Sequence, residues 1–195
     1  MSGLSDVTIL IGQRAGDLEK AQDVFRTEIR GFLSNILAAL QRARSEPWAQ
    51  ARVRIDLPRD VEAENQTAGL PPSQFARSLL RFKKGTNFQH VADVRFGVEF
   101  EESLGSFTWQ IVLVPVARYQ RMDDHLWNHW RSAVGQSPPP GSVHQAKSNT
   151  VRFVQRPIDK ELSGDVAFTD VKLVLETLLS TDGPLAEAVG LDPED

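Results

Sequence analysis

His125 and His129 have the most recognisable chemical spacing in this chain. Two imidazoles four residues apart on a helix share one face, and metal-binding helices use that arrangement. Leu126 stands where the zinc-hydrolase motif needs a glutamate, and both histidines fall at the edge of an apolar stripe. A metal-dependent enzyme centred on this pair is therefore our third hypothesis.

Basic residues form a second candidate site. Arg77, Arg81 and Lys84 are spaced four and three residues apart, so they share one face of a helix predicted over 73–84. Their alternative interpretation is the solvated face of an ordinary amphipathic helix. If nearby arginines point the same way, the patch could hold the phosphates of a nucleic acid. The residues of this predicted patch are Arg52, Arg54, Arg77, Arg81 and Lys84.

Aromatic residues form the third candidate. Tyr119 and Trp130 lie on the apolar stripe of a helix predicted over 119–134, with Trp127 at its boundary, and Trp48 falls in a predicted loop. Tryptophans at such boundaries are enriched in protein interfaces, although they also occur at core edges. We predict that these four residues bind a protein partner.

No catalytic set accompanies these candidates. Asp93, Glu99 and Glu101 could suggest a metal-dependent nuclease, but no lysine follows at strand spacing, so they are best interpreted as the wet face of a hairpin. Phosphate-binding glycine loops and the G-x-S-x-G elbow are absent from the sequence. We expect a non-catalytic protein without a cofactor.

Composition favours one globular domain. The chain has 195 residues, 41% of them hydrophobic, and no cysteine, which excludes disulfide scaffolds and thiolate metal sites. Apolar runs are too short for a membrane span, so we expect a cytoplasmic, microbial protein. The net charge of −4 is uneven, because residues 1–84 carry 13 basic and 10 acidic side chains and residues 85–195 carry 9 and 16. Nucleic-acid contacts would therefore have to be local.

A long helix is predicted from Asp17 to Arg44. Its apolar residues recur with a mean spacing of about 3.67, typical of a straight stripe packed on a sheet or another helix. Because this helix is longer than the diameter of a small domain, one of its ends should extend beyond the domain or contact a partner. Val7–Ile11 before it is predicted as a brief strand or docked arm. The stripe comprises Leu18, Ala21, Phe25, Ile29, Phe32, Ile36 and Leu40.

Period-2 alternation predicts strands further along the chain. Ala51–Leu57 alternates in this way, and the alternating runs 94–101 and 107–113 predict an antiparallel hairpin. A further strand is predicted at Thr150–Gln155 and a helix at Phe168–Ser180.

These elements predict an α+β fold with an antiparallel or mixed sheet of four to five strands and helices packed on one face. From Ala51 their order is strand, helix, strand, strand, helix, strand, which is that of the ferredoxin-like split βαβ arrangement. We expect a single domain over 1–195. Its parts are an N-terminal arm and long helix (1–46), a sheet core (51–157), and a C-terminal helix with an acidic tail (158–195).

The function expected from this pattern is binding. The chain would be a subunit or accessory factor of a larger assembly or a homo-oligomer, docking through its long N-terminal helix and the aromatic helix. Nucleic-acid binding through the basic patch is the alternative.

Overall fold

A computed structural model describes the protein in eight segments. The side chains of residues 6–18, 84 and 145–147 lie outside this description. The described segments are 6–43, 53–64, 70–84, 86–101, 104–116, 145–147, 150–159 and 161–179.

Two helices and seven strands are present in these segments. The helices are α1 (Asp6–Arg42) and α2 (Gly164–Leu179). The strands are β1 (Val53–Asp56), β2 (Glu62–Glu64), β3 (Ser73–Lys84), β4 (Asn87–Glu101), β5 (Ser106–Pro115), β6 (Gln145–Lys147) and β7 (Thr150–Pro157).

All seven strands form one antiparallel sheet. Its order is β1-β3-β4-β5-β7-β6, and β2 pairs with β3 beside β1. The α+β class and the antiparallel sheet are therefore confirmed. The predicted count of four to five strands is too low, because the sequence signals of β2, β3 and β6 were not recognised as strands.

The predicted antiparallel hairpin is confirmed in strands β4 and β5. Phe96 pairs with Ile111, and Val98 pairs with Trp109. All four side chains are buried, as their alternation predicts. Gly105 has a φ of 62° in the connecting turn, a conformation that glycine adopts without steric cost.

Strand β3 corrects the predicted helix over 73–84. Arg77 and Arg81 do share one face, but it is a strand face that also carries Phe75 and Leu79, which were expected on the opposite side. The apolar spacing suits a helix, yet β3 has paired neighbours on both edges, and that tertiary pairing overrides local propensity. With a strand in this place, the predicted split βαβ order is not observed in the described elements.

Helix α1 is longer than expected at its N-terminus. It begins at Asp6 and has 37 residues, about 55 Å of helix, so Val7–Ile11 is helical and not the predicted strand. Phe25, Ile29, Phe32, Ile36 and Leu40 join the core as predicted, together with Leu33 and Leu37.

Helices α1 and α2 pack on the same face of the sheet. Ser163 begins α2, because its hydroxyl accepts a hydrogen bond from the Val166 amide at 3.2 Å and its carbonyl accepts one from the Ala167 amide. The core between the helices and the sheet also includes four α2 residues, Val171, Val174, Leu175 and Leu178. This leaves the other face of the sheet without a helix among the described elements.

Candidate functional site

The face of the sheet opposite α1 and α2 carries rows of arginines. Arg54 of β1 lies directly opposite Arg81 of β3, and Arg77 of β3 lies directly opposite Arg95 of β4. Like charges in cross-strand pairs are destabilising. These two pairs therefore need carboxylates close by.

Carboxylates flank each arginine row. Arg81 Nε lies 2.8 Å from Asp56 Oδ2, and Arg77 Nη2 donates to Glu62 Oε2 at 2.7 Å. Arg95 Nη2 lies 3.3 Å from carboxylate oxygens of both Glu64 and Glu99. Basic and acidic rows thus alternate across strands β1 to β4, and we call this surface the striped face. Its charged members are Arg54, Arg77, Arg81, Arg95, Asp56, Glu62, Glu64, Asp93 and Glu99.

An aromatic stack lies within the striped face. The Arg95 guanidinium carbon lies 3.7 Å from the centroid of the Phe75 ring, which is only 1% exposed. Gly97 pairs with Phe75, and a Cβ added at Gly97 would lie 2.5 Å from Phe75 Cα. The close approach of β3 and β4 here requires glycine.

Burial raises the pKa of one carboxyl in this network. Desolvation raises the pKa of Glu99, and the positive charge of Arg95 only partly offsets that effect. Beside it, Glu101 accepts a hydrogen bond from Arg152 Nη2 at 2.6 Å, and both side chains are nearly buried. Glu99 and Glu101 thus lie in ion pairs with arginines, and Asp93 contacts Arg77 and His90.

The striped face has no surplus of positive charge. In the described part of the chain, its four arginines and Lys83 meet five carboxylates, and each arginine lies in at least one ion pair. A phosphate group would have to compete with carboxylates that already occupy the guanidinium groups. The structure thus places three of the predicted patch residues, Arg54, Arg77 and Arg81, on one face of the sheet. That face is balanced in charge and not basic.

A second surface lies at the end of the sheet formed by the β4–β5 turn. Leu104 in this turn is 61% exposed. Ile158, 38% exposed, directly follows Pro157, which pairs with Thr108 at the start of β5. Both residues therefore lie at the same end of the sheet.

Three phenylalanines connect this end of the sheet to α1. Phe100 pairs with Phe107 across the hairpin, with ring centroids 5.3 Å apart, and the Phe25 ring lies 4.8 Å from that of Phe107. Val24, the neighbour of Phe25, is 57% exposed. The described residues contain three exposed large hydrophobic side chains, Val24, Leu104 and Ile158, and all three lie at this end. We call these three with Phe25, Phe100 and Phe107 the hairpin end.

Helix α1 extends beyond the core at the hairpin end. Phe25 is the first α1 residue, counted from the described side chains at Glu19, that packs against the core. Residues 19–24 include no buried side chain. Residues 19–24 thus lie before the first described core contact of α1, and Gln22 among them is partly buried.

Several predicted site residues fall in parts of the chain that the structure does not describe. Lys84 pairs with Asn87 at the end of β3, but its side chain is not described. The remaining members of the three predicted sites lie outside the described residues: Trp48, Arg52, Tyr119, His125, Trp127, His129 and Trp130.

Sequence reasoning missed the hairpin end. The available signal was Leu104, a large apolar residue beside a glycine in a predicted turn, where polar residues are usual. Sequence reasoning also missed the contact of His90 Nε2 with Asp93 Oδ1 at 2.7 Å, because a register shift after Leu80 brings the two side chains together.

The described residues show neither a metal site nor a membrane span. None of their clusters brings together three histidine, aspartate or glutamate side chains in a way that could hold a metal ion. Neither described helix combines the length and apolar character that crossing a membrane requires. Comparisons of the chain with protein-family models, with curated proteins and with solved structures returned no match.

Proposed function

We propose that this chain is a non-catalytic binding protein, a subunit of a larger protein assembly, that docks through the hairpin end and the adjacent part of α1. The observation that carries the proposal is the exposure of Leu104 and Ile158 at one end of the sheet, where the rings of Phe100 and Phe107 also lie. Scattered exposed apolar residues are normal, whereas a cluster beside aromatic rings marks an interaction surface.

The chemistry of this surface favours a protein partner. Leu104 and Ile158 offer only apolar area, and the half-buried rings of Phe100 and Phe107 lie behind them. Such a surface gains free energy by excluding water from an apolar partner segment. The arginines of the striped face, which could bind a polyanion, already form ion pairs with carboxylates.

Substitutions at the hairpin end test this function. In the source cells, the tagged protein should retain a partner that is lost from the double variant Leu104→Asp/Ile158→Asp. The matched control is Thr86→Asp, which adds a carboxylate to an exposed turn at the opposite end of β4. We expect the partner's recovery to fall by about tenfold or more in the double variant, the effect of losing about 1.4 kcal/mol of binding free energy.

Two outcomes would contradict the proposal. Recovery of the same proteins with all three forms would show that the hairpin end binds nothing. Recovery of nucleic acid in place of protein, released by added salt, would favour the alternative hypothesis. Circular dichroism of the variants checks that each one folds.

A further inference from the structure

One buried ion pair joins two residues that are far apart in strand register. Arg152 lies in register with Val112 and Arg95, on the face of the sheet opposite α1 and α2. Glu101, on the same face, pairs with Ser106, six residues before Val112 along β5. Arg152 Nη2 nevertheless donates to Glu101 Oε2 at 2.6 Å, and the two side chains are only 11% and 7% exposed.

These positions require the sheet to curl. Six residues of strand cover about 20 Å, and the two strand spacings from β4 to β7 add about 10 Å at right angles, so the Cα atoms of Glu101 and Arg152 would lie about 22 Å apart on a flat sheet. The ordinary twist between neighbouring strands shortens this distance only slightly. An extended arginine and an extended glutamate together cannot span it. The face that carries the ion pair is therefore concave along this diagonal.

Two local features allow the curl. Phe153 is an extra residue in β7, opposite the step from Ile111 to Val112, and such a bulge bends the strand that contains it. Gly97 lies in the middle of β4 and places no side chain on the concave face, and a glycine inside a strand often marks a bend. Both features lie between the levels of Glu101 and Arg152 in the sheet.

Polar residues line the concave face where the ion pair crosses β5. Thr108 and Gln110 lie on either side of the crossing and are each 2% exposed, and Gln110 Nε2 donates to Thr108 Oγ1 at 2.7 Å. Arg152 Nη1 donates to Gln155 Oε1 at 2.9 Å. This second contact fixes the plane of the guanidinium, so that its other nitrogen points at Glu101.

The ion pair also connects the two residues of the proposed docking surface. Glu101 is the last residue of β4, and its carbonyl oxygen accepts a hydrogen bond from the Leu104 amide at 3.0 Å. Ile158 directly follows β7, the strand that carries Arg152. The position of Leu104 relative to Ile158 therefore depends on how far the hairpin of β4 and β5 bends toward β7.

We infer that the ion pair of Glu101 and Arg152 is a clasp that holds the sheet in its curled form, and that these two positioning residues thereby fix Leu104 beside Ile158 for binding. The positioning role rests on the proposed function, whereas the clasp does not.

Distances between spin labels test the clasp without any partner. The chain contains no cysteine, so Thr86→Cys and Leu104→Cys supply the only two thiols for labelling, at exposed turns that flank the two ends of β4. Double electron–electron resonance should give one narrow distance distribution for the labelled protein. In Glu101→Ala or Arg152→Ala the distribution should broaden and shift to longer distances, because β4 and β5 straighten.

Combined and conservative substitutions show whether the two residues act through each other. Glu101→Ala/Arg152→Ala should give the same distribution as each single variant, because either change breaks the same contact. Glu101→Gln should keep the original distribution, since its amide oxygen still accepts a hydrogen bond from Arg152. If an alanine variant does not fold, Glu101→Gln/Arg152→Met removes both charges without leaving one buried and unpaired, and it should show the longer distances.

Asp170→Ala is the matched control. It breaks a buried ion pair on the other face of the sheet, so it should destabilise the protein and leave the distance distribution unchanged. Circular dichroism checks that each variant is folded. A shift in Glu101→Ala without a shift in Asp170→Ala separates the clasp from a general loss of stability.

Recovery of the cellular partner tests the positioning role. It should fall by about tenfold or more in Glu101→Ala, and Asp170→Ala should retain the partner. Unchanged distances in both alanine variants would overturn the clasp, whether or not a partner binds. Longer distances with undiminished recovery would overturn the positioning role. A wild-type protein without any partner would refute the proposed function and the positioning role together, while longer distances in the variants would still support the clasp.

Discussion

At the residue scale, two glycines respond to the same substitution in opposite ways. Gly97→Ala should destabilise the protein, because the new Cβ would collide with the backbone of Phe75 and with the carbonyl oxygen of Gln74. Backbone atoms cannot move aside as a flexible side chain can. We expect a loss of about 1–3 kcal/mol or more in the free energy of unfolding, measured by urea denaturation.

Gly31→Ala is the matched comparison. Gly31 lies exposed in the interior of α1, and a Cβ added there would meet no atom within 4 Å. Since alanine is favoured over glycine in a helix by about 1 kcal/mol, this variant should be more stable than the wild type by that amount. A destabilised Gly31→Ala would show that another surface covers this part of α1.

Glu99 should make the stability depend on pH. Burial raises the pKa of Glu99 in the folded state above its ordinary value of 4.5. Between pH 4.5 and the higher pKa of the folded state, the folded protein therefore binds more protons than the unfolded chain. The stability that Glu99 contributes is therefore fully present below the pKa of the unfolded chain. It is lost as the pH rises through the pKa of Glu99 in the folded state.

The variant Glu99→Gln tests this dependence. Because glutamine stays neutral, the variant should gain stability relative to the wild type as pH rises from 4 to 7, measured by urea denaturation at each pH. Glu28→Gln, at an exposed position on α1, serves as the control. A pH dependence equal in wild type and Glu99→Gln would contradict the expectation.

At the element scale, one carboxylate joins α2 to the sheet. Asp170 accepts hydrogen bonds from Arg156 at 2.7 and 2.9 Å and from the Trp109 indole at 3.2 Å. The hydrogen bond to Asp170 raises the pKa of Arg156. The side chain of Asp170 is only 9% exposed.

Asp170→Ala should therefore weaken the attachment of α2. Breaking a buried pair costs about 3–5 kcal/mol, and we expect about 2–4 kcal/mol here since Arg156 is 34% exposed and keeps some hydration. Asp165→Ala in the exposed first turn of α2 should cost no more than about 1 kcal/mol. Urea unfolding followed by circular dichroism compares the two variants, and equal losses would contradict the assigned role of Asp170.

Strand β3 shows where local sequence reasoning stops. A spacing of four residues keeps Arg77 and Arg81 on one face of either a helix or a strand, so they share a face although the predicted element is wrong. Phe75 and Leu79 could not be assigned to the face of the arginines, because that placement holds only in a strand. Pairing with β1, β2 and β4 determines that β3 is one.

At the scale of the whole molecule, the charge balance predicts weak affinity for polyanions. The net charge is −4, and the described arginines of the predicted basic patch are paired with carboxylates. We expect the protein to pass through a heparin column at physiological ionic strength without retention. Retention that falls steeply with added salt, and is lost in Arg77→Glu/Arg81→Glu, would instead support nucleic-acid binding.

The sequence by itself determined the features that depend on neighbouring residues. Alternation along 94–113 specified the β4–β5 hairpin, and the apolar spacing in α1 and α2 specified their buried stripes, because side-chain period follows from local backbone geometry. The tertiary structure alone decided that β3 is a strand and that Arg77 pairs with Arg95. It also decided that Leu104 and Ile158 lie at the same end of the sheet. These features depend on strand register and on pairing between distant segments, which no local period encodes.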